Sequence, residues 1–240
     1  MRIAIAMPVF NEADGIAETL SELDLAFTGY DITLCLQNDC STDGTINVVQ
    51  GLNQNLQMKI LISSNESNLG HGPTTLSAYK MALQQDPDAI LQLDSDGQFF
   101  ANELVEICQS LDHDFDVVYG IRKHRFDSRL RRFITFSLKI FVCLRFGFYL
   151  RDSNTPIRAY RPSSLAILLN KIDSNVIIPN IFLAVEARRL NLRSNNVFVS
   201  NRPRRGEQRI GTMWSSKSIF RSQAKLARFV FRALIQIVKF

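Results

Sequence analysis

Two carboxylates separated by one residue, Asp94 and Asp96, directly follow the apolar run at residues 90–93. Hard oxygen atoms held that close are ligands that a divalent Mg²⁺ or Mn²⁺ ion prefers, and such an ion keeps other positions for water and substrate phosphates. Gln98 could add a carbonyl oxygen or orient a metal-bound water. The motif predicts a metal site that neutralises a diphosphate leaving group, although a solvated acidic turn has the same composition.

Three more polar clusters follow apolar runs in the first hundred residues. Glu12 and Asp39 offer acceptor oxygens for ribose hydroxyls and for the N–H groups of a base. The bend at residues 70–72 exposes backbone N–H groups near a helix start, where anions bind. Each cluster alone is also typical of an ordinary turn. Their recurrence at successive strand ends favours a nucleotide site.

The spacing of the apolar runs predicts an α/β fold, a mostly parallel sheet flanked by helices. Carboxyl ends of parallel strands share one edge, so the four polar clusters should meet there. One helix is expected to follow Asn11 to Gly15, and another to span Thr75 to Gln85. The predicted strands are Ile3 to Val9, Ile32 to Leu36, Lys59 to Ser63, Ala89 to Leu93 and Val117 to Tyr119.

With 240 residues, 46% of them hydrophobic, the chain can bury the core of one catalytic domain. Its first residues predict a buried strand, since Pro8 and Asn11 interrupt the run too early for a signal peptide. No apolar stretch has the roughly 18 to 20 residues that a membrane span needs. The four cysteines lack CxxC spacing, which indicates reduced buried thiols and argues against zinc.

The net charge of +5 conceals a segregation of charge. Residues 121–151 contain nine Lys or Arg and one acid, and residues 201–240 contain ten and one. The rest of the chain carries nine basic and 21 acidic residues. Two basic segments on an acidic body predict an anionic partner at particular places, whether membrane lipid, phosphate or nucleic acid.

The last segment of the chain predicts a basic amphipathic helix. Such a helix suits the interface of an anionic membrane, and its alternative is docking on the domain or on a second subunit. The aromatic-rich stretch 130–150 would form a second amphipathic helix beside it. We therefore expect a catalytic domain over residues 1–212, an appended segment over 213–240, and peripheral membrane contact through 129–150 and 215–240.

Several motifs in order resemble the family-2 glycosyltransferases of GT-A fold. The later motifs are similar to the polyprenyl-phosphate branch, which includes dolichyl-phosphate mannosyltransferase. The resemblance covers about residues 1–212. It rests on the stretches 8–12, 38–45, 68–72 and 94–99, and more loosely on 120–122, 131–135, 152–158 and 202–206.

The resemblance implies roles for individual residues. Pro8, Phe10, Glu12 and Asp39 would bind the nucleotide, and Asp94, Asp96 and Gln98 would hold the metal and the diphosphate. Arg122, Arg131 and Thr135 would meet an acceptor phosphate, and Arg205 the donor phosphates. Inversion at the anomeric carbon is implied as well. Phe10, Asn38, Pro73, Thr135 and the loop 154–158 depart from the usual family residues.

The acceptor decides whether the enzyme needs a catalytic base. A lipid phosphate is already largely ionised near neutral pH, its second pKa being about 6, so it needs cations to position it. Asp152 would then orient the acceptor or the arginines, although a capped turn before Pro156 explains it equally. A sugar hydroxyl must lose a proton as it attacks, which would make Asp152, or less favourably Glu186, a general base. Glu186 would otherwise pair with Arg188 or Arg189.

The sequence as a whole predicts an inverting, metal-dependent glycosyltransferase. Its donor would be a nucleotide-diphosphate sugar and its acceptor a polyprenyl phosphate, at the cytoplasmic, inner face of the membrane. Assembly as a homo-oligomer stays open at this point. Asp96, Arg122 and Asp152 are the expected catalytic residues. The alternatives are transfer to a carbohydrate hydroxyl, a basic nucleic-acid-binding module, or a catalytically silent scaffold. The nucleic-acid alternative leaves the acidic loops unexplained.

Overall fold

Seven strands build one mixed sheet, with β1 in its interior. Our computed structural model describes residues 1–52, 54–111, 114–123, 129–149, 152, 155–206 and 219–240, without the side chains of residues 129–135 and 219–226. The strands are β1 (Arg2–Val9), β2 (Asp31–Asn38), β3 (Lys59–Ser64), β4 (Ala89–Gln92), β5 (Val117–Arg122), β6 (Arg158–Tyr160) and β7 (Ser194–Val199). Their order across the sheet is β3-β2-β1-β4-β6-β5-β7.

Most neighbours in this sheet run parallel. β1 pairs in parallel with β2 and β4, β2 with β3, and β5 with β7. β6 runs antiparallel between β4 and β5. The predicted α/β sheet and its five strands are confirmed. The sequence did not reveal β6 or β7, because three residues carry no periodic pattern and β7 begins with three polar residues.

Eight helices flank the sheet within the described ranges. α1 follows the predicted start and buries Ile16, Leu20 and Leu23. α3 begins at His71, four residues before the predicted start, because Gly70 adopts a positive φ of 88° directly before it. The helices are α1 (Ile16–Ala26), α2 (Thr45–Leu52), α3 (His71–Leu83), α4 (Ala101–Gln109), α5 (Arg129–Phe146), α6 (Pro162–Leu169), α7 (Pro179–Arg189) and α8 (Ile219–Lys239).

Both faces of the sheet are covered, as alternate side chains of β1 demonstrate. Ile3, Ile5 and Met7 join a hydrophobic cluster with α1 and α4. Ala4 and Ala6 point to the other side, into a cluster that contains residues of α3, α6, α7 and α8. Successive side chains of a strand point to opposite faces, so a run that is apolar at every position requires a layer on each side.

The predicted C-terminal amphipathic helix is present as α8. It docks on the domain by burying Ala233 and Ile237 in the second cluster. No helix in the described ranges has both the length and the apolar character that crossing a membrane requires. The predicted boundary between residues 212 and 213 falls outside the described residues and stays a prediction.

Candidate active site

The loops after β1, β2 and β3 meet at the carboxyl edge of the sheet, as predicted. The Asp39 N–H donates to Val9 O at 2.9 Å, and the Asn65 N–H donates to Asn38 O at 2.9 Å. The Glu12 N–H donates to the Thr45 hydroxyl at 2.8 Å. These contacts join successive loops into one surface, at the position where open parallel sheets bind ligands.

The loop after β4 carries the carboxylate pair at the same edge. The side chain of Asp94 is 30% exposed, and Asp96 is partly buried and accepts a hydrogen bond from the Gln98 N–H at 3.2 Å. Gly97 turns the chain with a φ of 66°, and a Cβ there would lie 2.7 Å from the Thr19 hydroxyl oxygen. Glycine is therefore required for both conformation and space.

Three carboxylates share this region, and their protonation reflects it. Burial raises the pKa of Asp96 to about 6, with repulsion from Asp94 as the next cause. Burial also raises the pKa of Glu12 to about 7, against the attraction of Arg204, and both aspartates add to the increase. Ionising these carboxyl groups together therefore costs free energy unless a cation binds beside them.

The chemistry of these donors fits a hard divalent cation. Asp94 and Asp96 offer carboxylate oxygens, and an added positive charge would offset the repulsion that raises the pKa of Asp96. His71 Nε2 lies 3.8 Å from Asp94 Oδ1. In the described ranges, no group of three or more His, Cys, Asp or Glu side chains lies close enough together to hold a metal ion by itself. Mg²⁺ often binds through one or two carboxylates plus substrate phosphates, so the pair remains a suitable site.

A segment far along the chain, which we call the 201–206 strap, lies across the aspartate loop. The Arg202 N–H donates to Gln98 O at 2.8 Å, and its Nε donates to Gly97 O at 2.8 Å. The Arg205 N–H donates to Asp96 O at 3.1 Å. The strap therefore satisfies backbone groups of the aspartate loop and restricts its conformation.

The two adjacent arginines of the strap turn to different partners. Arg204 pairs with Glu12 and lowers the pKa of Asp96, so its charge acts on the carboxylate group. Arg205 pairs with Glu22 and lies 3.5 Å from Glu18, both on α1. The role at the donor phosphates implied for Arg205 stays a prediction, and sequence reasoning missed Arg204, since spacing does not distinguish two neighbouring arginines.

Asp39 organises the neighbouring loop. Its carboxylate accepts hydrogen bonds from the Leu69 N–H at 2.8 Å, the Gly70 N–H at 2.9 Å and the Asn65 side chain at 2.9 Å. Its residue surface is only 3% exposed. The nucleotide contact implied for Asp39 stays a prediction, and the structure adds that this side chain sets the shape of the 65–70 loop.

The other residues implied at the nucleotide line the start of the same edge. Pro8 is buried near the end of β1, opposite Gln37 of β2. Phe10 and Gln98 are partly buried in the loops that follow β1 and β4. Asn11 adopts a φ of 54°, which turns the chain between Phe10 and Glu12. Pro8 therefore lies on the strand, and Phe10 and Gln98 lie on loops, at the edge that carries the carboxylate group.

A second polar centre lies at the end of β5. Arg122 donates from Nε and Nη2 to the two carboxylate oxygens of Asp152, at 2.8 and 2.9 Å. The two side chains are only 13% and 6% exposed. A planar, bidentate contact of this kind fixes the direction of both groups. The structure brings together the two predicted residues, and it favours an orienting function for Asp152.

Three further predicted residues lie on the helices α5 and α7. Arg131 and Thr135 belong to α5, but their side chains lie outside the described residues. Glu186 is buried on α7 and accepts a hydrogen bond from Arg189 at 2.7 Å. That contact is one of the two pairings expected for Glu186 as a structural residue.

A buried arginine that sequence reasoning missed connects the two centres. Arg158 is 0% exposed and donates to Thr155 O at 3.0 Å and to Asn180 O at 2.6 Å. Its backbone position on β6 faces Gln92 of β4, two residues before Asp94. Thr155 in turn donates its N–H to Asp152 O at 3.2 Å. The turn that carries Asp152 is therefore braced against the strand that leads to the aspartate pair.

The chain is similar to known proteins over most of its length. A family model described as "Glycosyl transferase family 2" matches residues 4–177. An undecaprenyl-phosphate 4-deoxy-4-formamido-L-arabinose transferase from Pseudomonas fluorescens is 25% identical over 179 residues, which cover 74% of this chain and 52% of that protein. A protein of the same name from Edwardsiella ictaluri is 24% identical over 181 residues, covering 74% and 54%. The chain spans about half the length of these curated relatives.

Solved structures share the fold at low identity. One is glucosyl-3-phosphoglycerate synthase from Mycobacterium tuberculosis in complex with Mn²⁺ and UDP-glucose, with a TM-score of 0.61, 14% identity, and coverage of 96% of this chain and 78% of that one. Another is a mannosyltransferase from Pyrobaculum calidifontis in complex with GDP-Man and Mn²⁺, with a TM-score of 0.61, 13% identity, and coverage of 99% and 64%. The GT-A fold implied by the motifs is confirmed. Because the family model matches well over half of its residues, the chain belongs to glycosyl transferase family 2.

Proposed function

We propose that this glycosyltransferase moves a sugar from a nucleotide-diphosphate sugar to a polyprenyl phosphate, with inversion and with the help of Mg²⁺ or Mn²⁺. The observation that carries the proposal is the grouping of Glu12, Asp94 and Asp96 with Arg204 at the carboxyl edge of the sheet. Carboxylates that repel one another beside a cation can accept a metal ion and an anionic diphosphate together.

On the donor side, Asp94 and Asp96 would hold the metal with Gln98 nearby, and Pro8, Phe10, Glu12 and Asp39 would surround the nucleotide. The bound metal would supply positive charge for the departing diphosphate. The protein keeps the aspartates in place through the Gln98 N–H and through the strap. Such restraint matters because a small displacement of a reacting group reduces the rate strongly.

Among the strap arginines, we assign the donor phosphates to Arg204 instead of Arg205. Arg204 already lies at the carboxylate group, whereas Arg205 is engaged by Glu22. A diphosphate entering the site would compete with Glu12 for the Arg204 guanidinium, which binds phosphate in the same bidentate manner as carboxylate.

On the acceptor side, Arg122 would position the lipid phosphate, with Arg131 and Thr135 of α5 as the further contacts implied by the family motifs. An acceptor that is already ionised needs no base, so Asp152 would serve to orient Arg122. Attack on the side of the sugar opposite the diphosphate inverts the anomeric carbon in one displacement. The distant relatives named for undecaprenyl-phosphate transfer support this acceptor.

The second candidate keeps the fold and the donor but transfers to a carbohydrate hydroxyl. It requires a general base, and the two carboxylates available for that role are Asp152 and Glu186. Both accept hydrogen bonds from arginines, which occupy carboxylate oxygens that a base would need. Transfer to a lipid phosphate therefore agrees better with the site.

A lipid-linked acceptor would bring the protein to the inner, cytoplasmic face of a membrane as a peripheral protein. Residues 129–150 and 215–240 would make that contact. We place the catalytic domain at residues 1–212 and the appended segment at 213–240, and a homo-oligomer is compatible with this arrangement.

The decisive experiment separates the donor from the acceptor. Melting temperatures measured with UDP- and GDP-sugars, with and without Mn²⁺, should increase only when the correct sugar nucleotide and the metal are present together. The sugar nucleotide that stabilises the protein is then supplied, radiolabelled, with undecaprenyl phosphate, undecaprenol or an oligosaccharide. Of these three acceptors, only undecaprenyl phosphate should give labelled product. Binding that ignores the metal, or equal transfer to an acceptor hydroxyl, would contradict the proposal.

A further inference from the structure

Two helices, α5 and α8, share one layer of the molecule. Val142 of α5 and Ala233 and Ile237 of α8 are buried in the same hydrophobic cluster. At the ends of these helices, the rings of Phe146 and Phe240 meet edge to face with centroids 6.1 Å apart. Because α5 and α8 pack on the same cluster, the opposite face of each helix points away from it.

Those opposite faces carry large apolar side chains in contact with water. On α5, Phe136, Ile140 and Leu144 follow at intervals of four residues and are 60%, 44% and 80% exposed. With 3.6 residues per turn, this spacing places them on one stripe across the helix from Val142.

The second helix repeats the arrangement. On α8, Phe231, Ile235 and Val238 are 65%, 38% and 58% exposed. They lie across the helix from Ala233 and Ile237. Exposed apolar groups of this extent in a folded domain mark a contact surface.

The charge of both helices has one sign. Their sequences contain ten Lys or Arg and neither Asp nor Glu. In the described part of α8, Arg228, Arg232 and Lys239 are exposed next to the apolar stripe, and α5 adds the exposed Arg145. An apolar stripe beside cations suits a surface with an apolar interior and anionic headgroups.

We propose that the outward side chains of α5 and α8, the α5–α8 face, bind the surface of an anionic lipid bilayer. The aromatic and aliphatic stripes would enter the boundary of the acyl chains, and the basic side chains would meet the lipid phosphates. A second copy of this chain fits less well, since two faces of equal positive charge repel one another. Nucleic acid would match the charge but would leave side chains such as Leu144 exposed.

The face is attached to the acceptor centre by the chain itself. The polypeptide leaves Arg122 to form α5 and returns to Asp152, and these two residues pair. The segment that contains α5 therefore begins and ends at the proposed acceptor arginine. This inference deepens the membrane location given under the proposed function and rests on that part of it, but it does not depend on the chemistry of transfer.

Co-sedimentation of the full chain with vesicles tests the face without any turnover. Phosphatidylcholine vesicles are compared with mixed phosphatidylcholine and phosphatidylglycerol vesicles. The wild type should pellet with the mixed vesicles, and high salt should reduce that binding. The double variant Phe231→Asp and Ile235→Asp should lose about tenfold or more in vesicle affinity. Arg228→Gln and Arg232→Gln should each lose about fivefold.

A matched control places the same charges on another surface. Leu25 of α1 and Ile167 of α6 are apolar and 77% and 49% exposed, so Leu25→Asp with Ile167→Asp should bind vesicles like the wild type. Equal pelleting of the wild type and the α8 double variant would overturn the proposal. The proposal would also be overturned if the wild type does not bind vesicles but self-associates in sedimentation, while the α8 double variant stays monomeric.

The melting temperature of each variant, with and without sugar nucleotide, separates the possible failures. A variant that unfolds early has lost its fold, and Arg228→Gln then provides the test. A wild type that binds vesicles but no sugar nucleotide would contradict the transfer function and leave the lipid-binding face intact.

Discussion

The proposed donor site and the proposed acceptor site differ in how their charges are compensated. On the donor side, Glu12 and Asp96 are held with raised pKa values, so their negative charge is incompletely compensated. On the acceptor side, Asp152 is matched by Arg122 in a bidentate pair. Carboxylates that bind a cation keep uncompensated negative charge until the cation is bound. A carboxylate that orients an arginine already has its charge compensated by that arginine.

The two sites also differ in how their geometry arises. The donor loops follow four parallel strands and are stabilised mainly by hydrogen bonds between neighbouring loops. The acceptor centre depends on β6, the antiparallel strand that places Arg158 opposite Gln92. Substitutions on the two sides should therefore affect different steps.

The largest effect is expected from Asp96→Asn. Losing one of the two carboxylates proposed as metal ligands should reduce the transfer rate by at least about 100-fold while the protein stays folded. Transfer assays across a Mn²⁺ titration measure the loss. The control is Asp31→Asn, an exposed carboxylate at the start of β2, far along the strand from the site. An active Asp96→Asn protein with normal metal dependence would remove the distinction between the two sites.

The next effect compares two neighbours in the strap. Arg204→Met should lower kcat/KM for the donor by about 10- to 100-fold, because its charge lies at the carboxylate group. Arg205→Met should instead lower the melting temperature, because Glu22 then loses one of its two arginine partners. Steady-state kinetics and thermal melts distinguish them. If Arg205→Met lowered kcat/KM for the donor more than Arg204→Met does, Arg205 would be the residue that binds the donor phosphates.

Asp152→Asn should have a smaller effect, limited to the acceptor. Losing the ionic part of the contact with Arg122 should raise KM for the lipid phosphate by about tenfold. The donor KM and the shape of the pH–rate profile should stay the same. Asp114→Asn is the control, since Asp114 is 80% exposed and pairs with Arg193. A strong decrease in kcat together with loss of the acidic limb would identify Asp152 as a base and favour transfer to a hydroxyl.

The smallest effect concerns stability and pH without metal. The Asp96 carboxyl ionises near pH 3.8 when unfolded and near 6 when folded. The folded state therefore holds this proton over that interval, and its stability decreases as the pH rises through it. Asp96→Asn should increase the free energy of unfolding by about 1–2 kcal/mol at about pH 8, and hardly at about pH 4. Urea unfolding in EDTA at both values measures this. A gain that is equal at the two pH values would show that ionisation of the buried carboxyl group is not its cause.

Much of the proposed donor site could be predicted from the sequence because its features are local. A buried strand followed directly by Asp94 and Asp96 places the carboxylates at a strand end whatever surrounds them. The proposed acceptor site was less predictable. The pairing of Arg122 with Asp152 joins residues 30 positions apart across α5, and Arg158 acquires its role only through a three-residue strand.

By itself, the sequence determined the alternation of strands and helices, the strand-end position of the acidic loops and the two basic amphipathic helices. These features follow from periods of two and about 3.6 residues, which short segments carry. Tertiary structure decided which arginine meets the carboxylates and which way Asp39 and Asp152 point. Arg204 and Glu12 are 192 positions apart, and the direction of such side chains depends on how distant segments pack, which no local pattern records.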